Sequence, residues 1–381
     1  MPTATQPDVV VVGAGVIGLS IAWRAAQAGL AVTLVDDRPG RAASWAAAGM
    51  LAPVTEVHYG EEALLELNLA SAAAYADFAA GLTEASGRDT GYRRCGTLLV
   101  ARDTDEAAVL DELHRFQAKL GLATTRLRGR AARELEPALA PRTRSAILVE
   151  GDHQVDNRAL VTALRSAVDR AGVAVAPGRV AAVRTTSQRA AGVTLADGTA
   201  LHAPRVVLAA GAGTGAIAGL PAAAVPPVRP VKGQLLHLRP RGGAPPLTSR
   251  TIRGLDVYVV ARADGRLVVG ATVEEQGHDR TATAGGVRRL LRDAWELLPG
   301  IDEYELTETA VGLRPGSPDN APLLGPAAGV HGLILATGHY RNGILLAPVT
   351  AEAITELLVT GVVPARIAPF APERFAVAAR R

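Results

Sequence analysis

Apolar runs cut by glycine alternate with longer stretches that repeat at helical spacing. Val9, Val10, Val11 and Val12 form an unbroken apolar run, the signature of a short strand buried on both faces. A helical pattern then continues to Ala28, Gly29 breaks it, and a second strand over 31–35 ends in Asp36. Leu64, Leu67, Ala74 and Phe78 fall on or near one face of a helix predicted over 61–85. Beyond it the pattern predicts a strand at 96–101, a helix at 104–120 capped by Asp103 or Thr104, a short helix at 130–136 stopped by Pro137, and a strand at 146–149. Asp156 and Asn157 cap a helix that runs to Arg170.

The rest of the chain is richer in strands. They are predicted over 173–176, 180–185, 192–195 and 200–202, with the hairpin turn Ala196-Asp197-Gly198 between the last two. A buried strand at 205–209 ends in the small-residue turn 210–214, and a proline-rich segment, 221–246, encloses a strand at 232–238. A second hairpin joins 256–261 to 266–270 through Ala263-Asp264-Gly265. A helix at 284–297, an alternating strand at 304–312, a strand at 333–336 and a helix at 344–358 follow, and only the last residues read as loose. The opening strand–helix–strand unit and the strands at 173–176, 206–209 and 333–336 suit one parallel sheet assembled from scattered pieces. The hairpin-rich segments suit a second, mainly antiparallel unit, so the expected class is α/β with discontinuous domains.

Composition narrows this picture. The 381 residues allow two domains, and a hydrophobic content of 48% supports large cores. A formal charge of +3 is too small to suggest a nucleic-acid partner. Cys95 is the only cysteine, which excludes an internal disulfide and a cysteine-cluster metal site; no metal is expected. The apolar stretch 9–35 suggests a membrane span or secretory signal, but Arg24, Gln27 and the interrupting glycines argue against both, leaving the cytoplasm as the default.

Between the first strand and helix lies Gly13-Ala14-Gly15-Val16-Ile17-Gly18, a G-x-G-x-x-G fingerprint. Its glycines allow a tight turn, close approach of a pyrophosphate, and close helix–strand packing. The helix start offers free N–H groups and a positive dipole end to phosphate. Asp36 stands 23 residues beyond Gly13, near the roughly 20 expected of the carboxylate that grips a ribose hydroxyl. Strand, glycines, helix and acid in this order imply a dinucleotide cradle, and the turn 210–214 reads as a second close approach of backbone to the same ligand. The stretch 41–53, RAASWAAAGMLAP, reads equally as backbone closing on a flat ligand or as an alanine-rich helix.

Taken in order, six features carry a family resemblance: the fingerprint with Asp36, the stretch 44–53, Val231-Lys232-Gly233-Gln234, the hairpin bearing Tyr258, Gly312-Leu313-Arg314-Pro315, and residues 338–343. Together they resemble the FAD-dependent D-amino-acid oxidase superfamily, and within it the glycine oxidase group tied to thiamine biosynthesis. The resemblance spans 8–360. It implies non-covalent FAD in a discontinuous Rossmann-like domain of 1–86, 151–221 and 318–381, with a mainly antiparallel α+β substrate-binding domain of 87–150 and 222–317. The cysteine through which related sarcosine oxidases tether their flavin has no counterpart in the C-terminal half. By resemblance, Gly13, Ala14, Gly15, Val16, Ile17 and Gly18 surround the pyrophosphate, Asp36 meets the adenosine ribose, Arg38 meets the adenine end, and the strand around Val180 gives a backbone contact near the adenine. Ser44, Ala47, Ala48, Gly49 and Met50 line the isoalloxazine ring, and Gly211 closes over the cofactor. Backbone N–H groups of Gly338, His339, Tyr340, Arg341, Asn342, Gly343, Ile344 and Leu345 face the flavin's pyrimidine carbonyls, where aimed dipoles stabilise the charge that reduction develops.

The same resemblance assigns Arg314 to the substrate carboxylate, a role suited to its planar fork, and gives the Tyr258 hydroxyl the same target. Arg341 becomes a second arginine near substrate and flavin, and Met50 a pocket wall that packing explains equally well. Val273 stands where the family example carries a methionine, which leaves room for a slightly larger substrate. His339 is a candidate base, but the family needs none, because the α-hydrogen leaves as hydride to flavin N5; it reads as structural. The implied reaction is oxidative deamination of glycine and other small amines or amino acids, such as sarcosine and small D-amino acids. O2 is reduced to H2O2, and the imine hydrolyses to glyoxylate or, where a thiazole synthase is present, is taken up for thiazole formation. A dehydrogenase serving a quinone or protein acceptor, a flavin-binding module without catalysis, and assembly as a homo-oligomer all stay open.

Overall fold

Four valines in a row serve two cores at once. In the computed structural model, which describes residues 6–243 and 245–375, Val9–Val12 is an inner strand of a six-stranded sheet. The sheet order is Leu323–Pro326, Leu333–Thr337, Val206–Leu208, Val9–Val12, Val32–Asp36, Ala174–Pro177. Every pairing is parallel except that of the edge strand Leu323–Pro326. Val9 and Val11 face a core built with the helices Val16–Gln27, Glu62–Ser86, Asn157–Arg170 and Ala347–Thr360. Val10 and Val12 face the opposite core, under a three-stranded antiparallel sheet of Val180–Thr186, Arg189–Leu195 and Ala200–Leu201.

A second sheet has eight strands, in the order Tyr304–Gly316, Arg229–Pro240, Leu267–Gly270, Tyr258–Ala261, Thr251–Arg253, Thr97–Ala101, Ser145–Val149, Thr125–Arg128. It is antiparallel apart from the pairing of Thr251–Arg253 with Thr97–Ala101. One face is covered by the helix Ala284–Leu297, through Leu290, Ala294 and Leu297. The other face presents Leu235, Val260, Val268 and Ala310 to Ala46 and Ala48. Segments 87–150 and 222–317 contribute all eight strands, and we propose them as the substrate domain against the remainder. The ends of that partition, residues 1–5 and 376–381, and the loose last residues lie outside the described residues.

Several elements differ from the sequence pattern. Tyr304–Gly316 runs past 312, because it pairs with Arg229–Pro240 along its whole length, with Pro315 opposite Pro230. Arg314 is therefore a strand residue. The last long helix starts at Ala347, since residues 343–346 are turn. Three strands had no clear pattern: the half-exposed, arginine-bearing edge Thr125–Arg128, the three-residue Thr251–Arg253, and Leu323–Pro326.

The stretch 41–53 is not a helix. It is a chain of turns ending in the short strand Met50–Leu51, which pairs with His153–Gln154. Gly49 sits at φ +76°, where a Cβ would lie 2.0 Å from the Val155 carbonyl oxygen. Asn157 Nδ2 donates to the carbonyls of Ser44 and Trp45 at 2.8 and 3.0 Å. Arg262, only 4% exposed, donates to the Ala48 carbonyl at 2.8 Å, Asn157 Oδ1 at 3.0 Å, Gln154 Oε1 at 3.0 Å and the Val155 carbonyl at 2.9 Å. Backbone acceptors that a helix would satisfy internally are thus satisfied from two other parts of the chain. Burial draws the Arg262 guanidinium down to about 10, against the raising effect of Asp156, so it stays charged at neutral pH.

His339 is 2% exposed and its Nε2 lies 3.1 Å from Thr350 Oγ1 on the following helix. Among the described residues no single helix is long and apolar enough to cross a membrane; the bent pair Ala347–Thr360 and Ala365–Phe375, turned by 110°, qualifies only by length and composition.

Two outcomes are expected. Arg262→Ala leaves four acceptors without this donor, Asp156 keeping Arg266 as its partner, and should lower unfolding free energy by roughly 3 kcal/mol or more; a loss below about 1 kcal/mol in urea melts would contradict the clasp. Burial pushes the His339 imidazole from 6.5 down to about 3. The unfolded chain therefore takes up a proton that the folded chain refuses, and stability falls as pH drops below 6.5 towards 3. By pH 5 this residue should account for about 2 kcal/mol of the loss. His339→Gln should flatten the fall in melting temperature between neutral pH and pH 5; an unaltered slope would remove His339 from that account.

Candidate functional site

A cavity of about 770 Å³ runs between the two sheets, a size suited to a cofactor together with a small ligand. At one end lie Gly13, Gly15, Val16, Ile17 and Asp36. Gly15 caps the helix Val16–Gln27, whose first-turn N–H groups have no partners inside the helix. The Ser44 hydroxyl accepts the Val16 N–H at 2.9 Å. Asp36 accepts the N–H groups of Ala14 at 2.7 Å and Arg38 at 2.6 Å, which fixes its carboxylate at the cavity edge. Gly211 lines the opposite wall, and a Cβ there would meet nothing within 4 Å.

At the other end, the strands of the second sheet bring Tyr258 and Arg314 to one wall. Two strand glycines make this possible by leaving bare backbone. A Cβ on Gly233 would lie 2.4 Å from Arg314 Nη1, and one on Gly270 would lie 2.4 Å from the Tyr258 hydroxyl. Arg314 Nη1 donates to the Thr272 carbonyl at 3.0 Å and more weakly to that of Lys232 at 3.4 Å. Burial pushes the Tyr258 phenol above its ordinary value, and the neighbouring Arg314 charge offsets this only in part. Met50, Tyr258 and Ala271 pack against the small core of Ala46, Ala48 and Leu235.

Two ion pairs stand beside this wall. Arg253 bonds Glu56, and both line the cavity. Arg341 Nη2 donates to Glu61 Oε2 at 2.5 Å, while its Nε is buried without a partner among the described residues. Burial alone would raise the Glu56 carboxyl, but Arg253 and then Arg341 outweigh it and hold it below the usual carboxylate range. The turn bearing Glu56 hangs on Asp152, which accepts from Val54 N–H and from both the N–H and hydroxyl of Thr55. Burial pushes Asp152 up to about 6 in spite of these bonds.

Of the remaining residues singled out by sequence, Ala47, Ala48, Gly49, His339, Tyr340, Gly343 and Ile344 line the cavity. Seven others do not. Ala14 is engaged with Asp36, and Gly18 packs so closely that a Cβ would lie 1.8 Å from the Gly13 carbonyl oxygen. The Arg38 side chain is 65% exposed beside Asp37. Val180 is buried under the three-stranded sheet and Leu345 in the helical core. Gly338 supplies a turn at φ +74°, and Asn342 closes the next one through N–H to the His339 carbonyl. Ser44 lines the cavity beside the helix N-terminus, where its hydroxyl accepts the Val16 N–H. Sequence reasoning missed Glu56, Arg253, Asp152 and Arg262, whose partners are distant in the chain and carry no local signal.

These residues fit FAD: a glycine turn and helix N-terminus for a pyrophosphate, a fixed carboxylate at one edge, and a wall of small residues leading to Arg314. Residues 8–357 match the family model described as FAD dependent oxidoreductase. The bifunctional protein ThiO/ThiG of Synechocystis sp. is 37% identical over 380 residues, covering 97% of this chain and 54% of that protein, so the chain spans about half the length of this relative. The glycine oxidase of Pseudomonas putida is 35% identical over 380 residues, 96% of this chain and 98% of that one. The crystal structure of glycine oxidase from Geobacillus kaustophilus matches with a TM-score of 0.90 at 33% identity, covering 97% of this chain and 99% of that one. With fold, cradle and full-length similarity in agreement, this chain belongs to the FAD dependent oxidoreductase family, and its cofactor is FAD.

Proposed function

We propose that the chain catalyses oxidative deamination of glycine and other small amines or amino acids, including sarcosine and small D-amino acids. Glycine, O2 and water give glyoxylate, ammonia and H2O2. The observation that carries this reading is the convergence of Arg314 and Tyr258 on one wall of a cavity whose other end is the glycine cradle. Arg314 presents a fork to the substrate carboxylate. Tyr258, with its phenol held protonated by burial, donates to the same carboxylate at neutral pH. Met50 and the packed alanines give that wall an apolar lining. FAD, when bound, supplies the hydride acceptor and the route of electrons to O2. No side chain need act as base: His339, the nearest imidazole in the motif, is engaged with Thr350 and pushed down to about 3. Arg341, tied to Glu61, lends positive charge near the ring end and orders the 339–344 turn.

Similarity to glycine oxidases along the whole chain supports the substrate class, and the length shared with ThiO/ThiG supports a place in thiamine thiazole formation, with a thiazole synthase consuming the imine. The same reading sets the protein in the cytoplasm. Purified holoenzyme should release peroxide with glycine or sarcosine. Arg314→Ala should act mainly on KM, losing roughly 2–5 kcal/mol of charge-paired binding. An unchanged KM in that variant, or no peroxide from any small amino acid, would refute the assignment.

A further inference from the structure

The cavity does not end at Arg314. Its lining also takes in Val273, which is 66% exposed, and an exposed rim of Asp256, Arg280, Arg289 and Arg292 beside Leu255. The cations of this end are mostly answered. Arg253 pairs with Glu56, Arg341 with Glu61, and Arg292 with Asp293 at 2.7 Å. The side chains of Arg280 and Arg289, both exposed, make no hydrogen bond or ion pair with any described residue, although both residues line the cavity. Asp256 shares the rim and lowers its net charge without cancelling it.

Both arginines stand on firm supports. Arg280 follows Asp279, whose carboxylate accepts from Lys232 Nζ at 2.5 Å; the Lys232 side chain is 1% exposed and lies 3.7 Å from Glu274 as well. Backbone bonds run both ways between Lys232 and Glu274, at 2.9 and 3.0 Å. These contacts tie the segment bearing Val273 and Arg280 to the strand beneath Arg314. Arg289 lies on the helix Ala284–Leu297, whose start is capped by Thr283 accepting the Gly286 N–H. A fork-shaped cation on a fixed element is suited to a carboxylate.

Building on the function proposed above, we infer that the preferred substrates carry a second anionic group, held at the rim by Arg280 and Arg289 while the α-carboxylate meets Arg314. The shared chemistry is a dicarboxylic amino acid. The second carboxylate arrives either on the nitrogen, as in iminodiacetate, or on the α-carbon side chain, as in D-aspartate and D-glutamate.

The test compares kcat/KM of the FAD-loaded enzyme for iminodiacetate against sarcosine, and for D-aspartate and D-glutamate against D-alanine. At least one dicarboxylate should exceed its monocarboxylic counterpart, and the arm that does so identifies where the second anion sits. The Arg280→Gln/Arg289→Gln double variant should lower that ratio about tenfold, the order expected when two partly exposed charge contacts are lost together. Raised salt should lower it in the same sense. As a readout independent of turnover, malonate or glutarate should perturb the visible flavin band at lower concentration than acetate, and the double variant should abolish the difference. Preference for the monocarboxylate in both arms, or a ratio indifferent to the double variant, overturns the inference while glycine oxidation stands. Failure of every amino acid to reduce the flavin removes the underlying function and this inference with it.

Discussion

The site depends on one buried guanidinium. Arg262, at the end of a strand in the second sheet, reaches across to the Ala48 carbonyl and to the residues that begin the helix Asn157–Arg170. Residues 44–49 run between the two sheets, where unanswered backbone carbonyls would be costly. Arg262 and Asn157 answer three of them, and the loop can then stay irregular and close to the cavity. Ala46 lies so near the second sheet that a Cβ on Gly312 would come within 2.8 Å of its own. The wall facing Arg314 and Tyr258 therefore exists only because a helix packed on the first sheet and a strand end of the second hold the same loop.

The charges around the cavity follow a second constraint. Burying an ion is tolerable when it is paired, and most cations here are paired with a carboxylate close by. Arg314 is different, because its bonds go to neutral backbone carbonyls. Its charge stays available to whatever enters. The pairs Glu56–Arg253 and Glu61–Arg341 surround it without neutralising it, and both sit on segments joined to the first sheet's helices or the second sheet's rim.

What could be read from the sequence was what is local. Strand, glycines, helix and Asp36 fall within residues 8–36, and each acts on its near neighbours, so the cradle was plain. The stretch 41–53 stayed undecided because the groups that keep it from being a helix stand at 157 and 262. Glu56 and Arg253 are 197 residues apart, and nothing in either neighbourhood announces the other. Alternation marks the strand only to 312; beyond it the ladder continues through pairing with a distant strand, Pro315 opposite Pro230. Arg314, Tyr258 and Arg341 are reached through their motifs, while the Arg38 side chain, although next to the cradle in sequence, stands out in solvent beside Asp37.

The opening strand has a further consequence. Since Val9–Val12 is apolar on both sides and buried on both, sliding it by one residue against Val32–Asp36 would sacrifice little hydrophobic contact. Greasy matching cannot choose its alignment. Polar bookends do so instead: Asp8 accepts the Ala31 N–H at one end, while Gly13 N–H meets the Val35 carbonyl and Ala14 N–H meets Asp36 at the other. The carboxylate we propose for the nucleotide's sugar is thus also the peg that keeps two neighbouring strands in step.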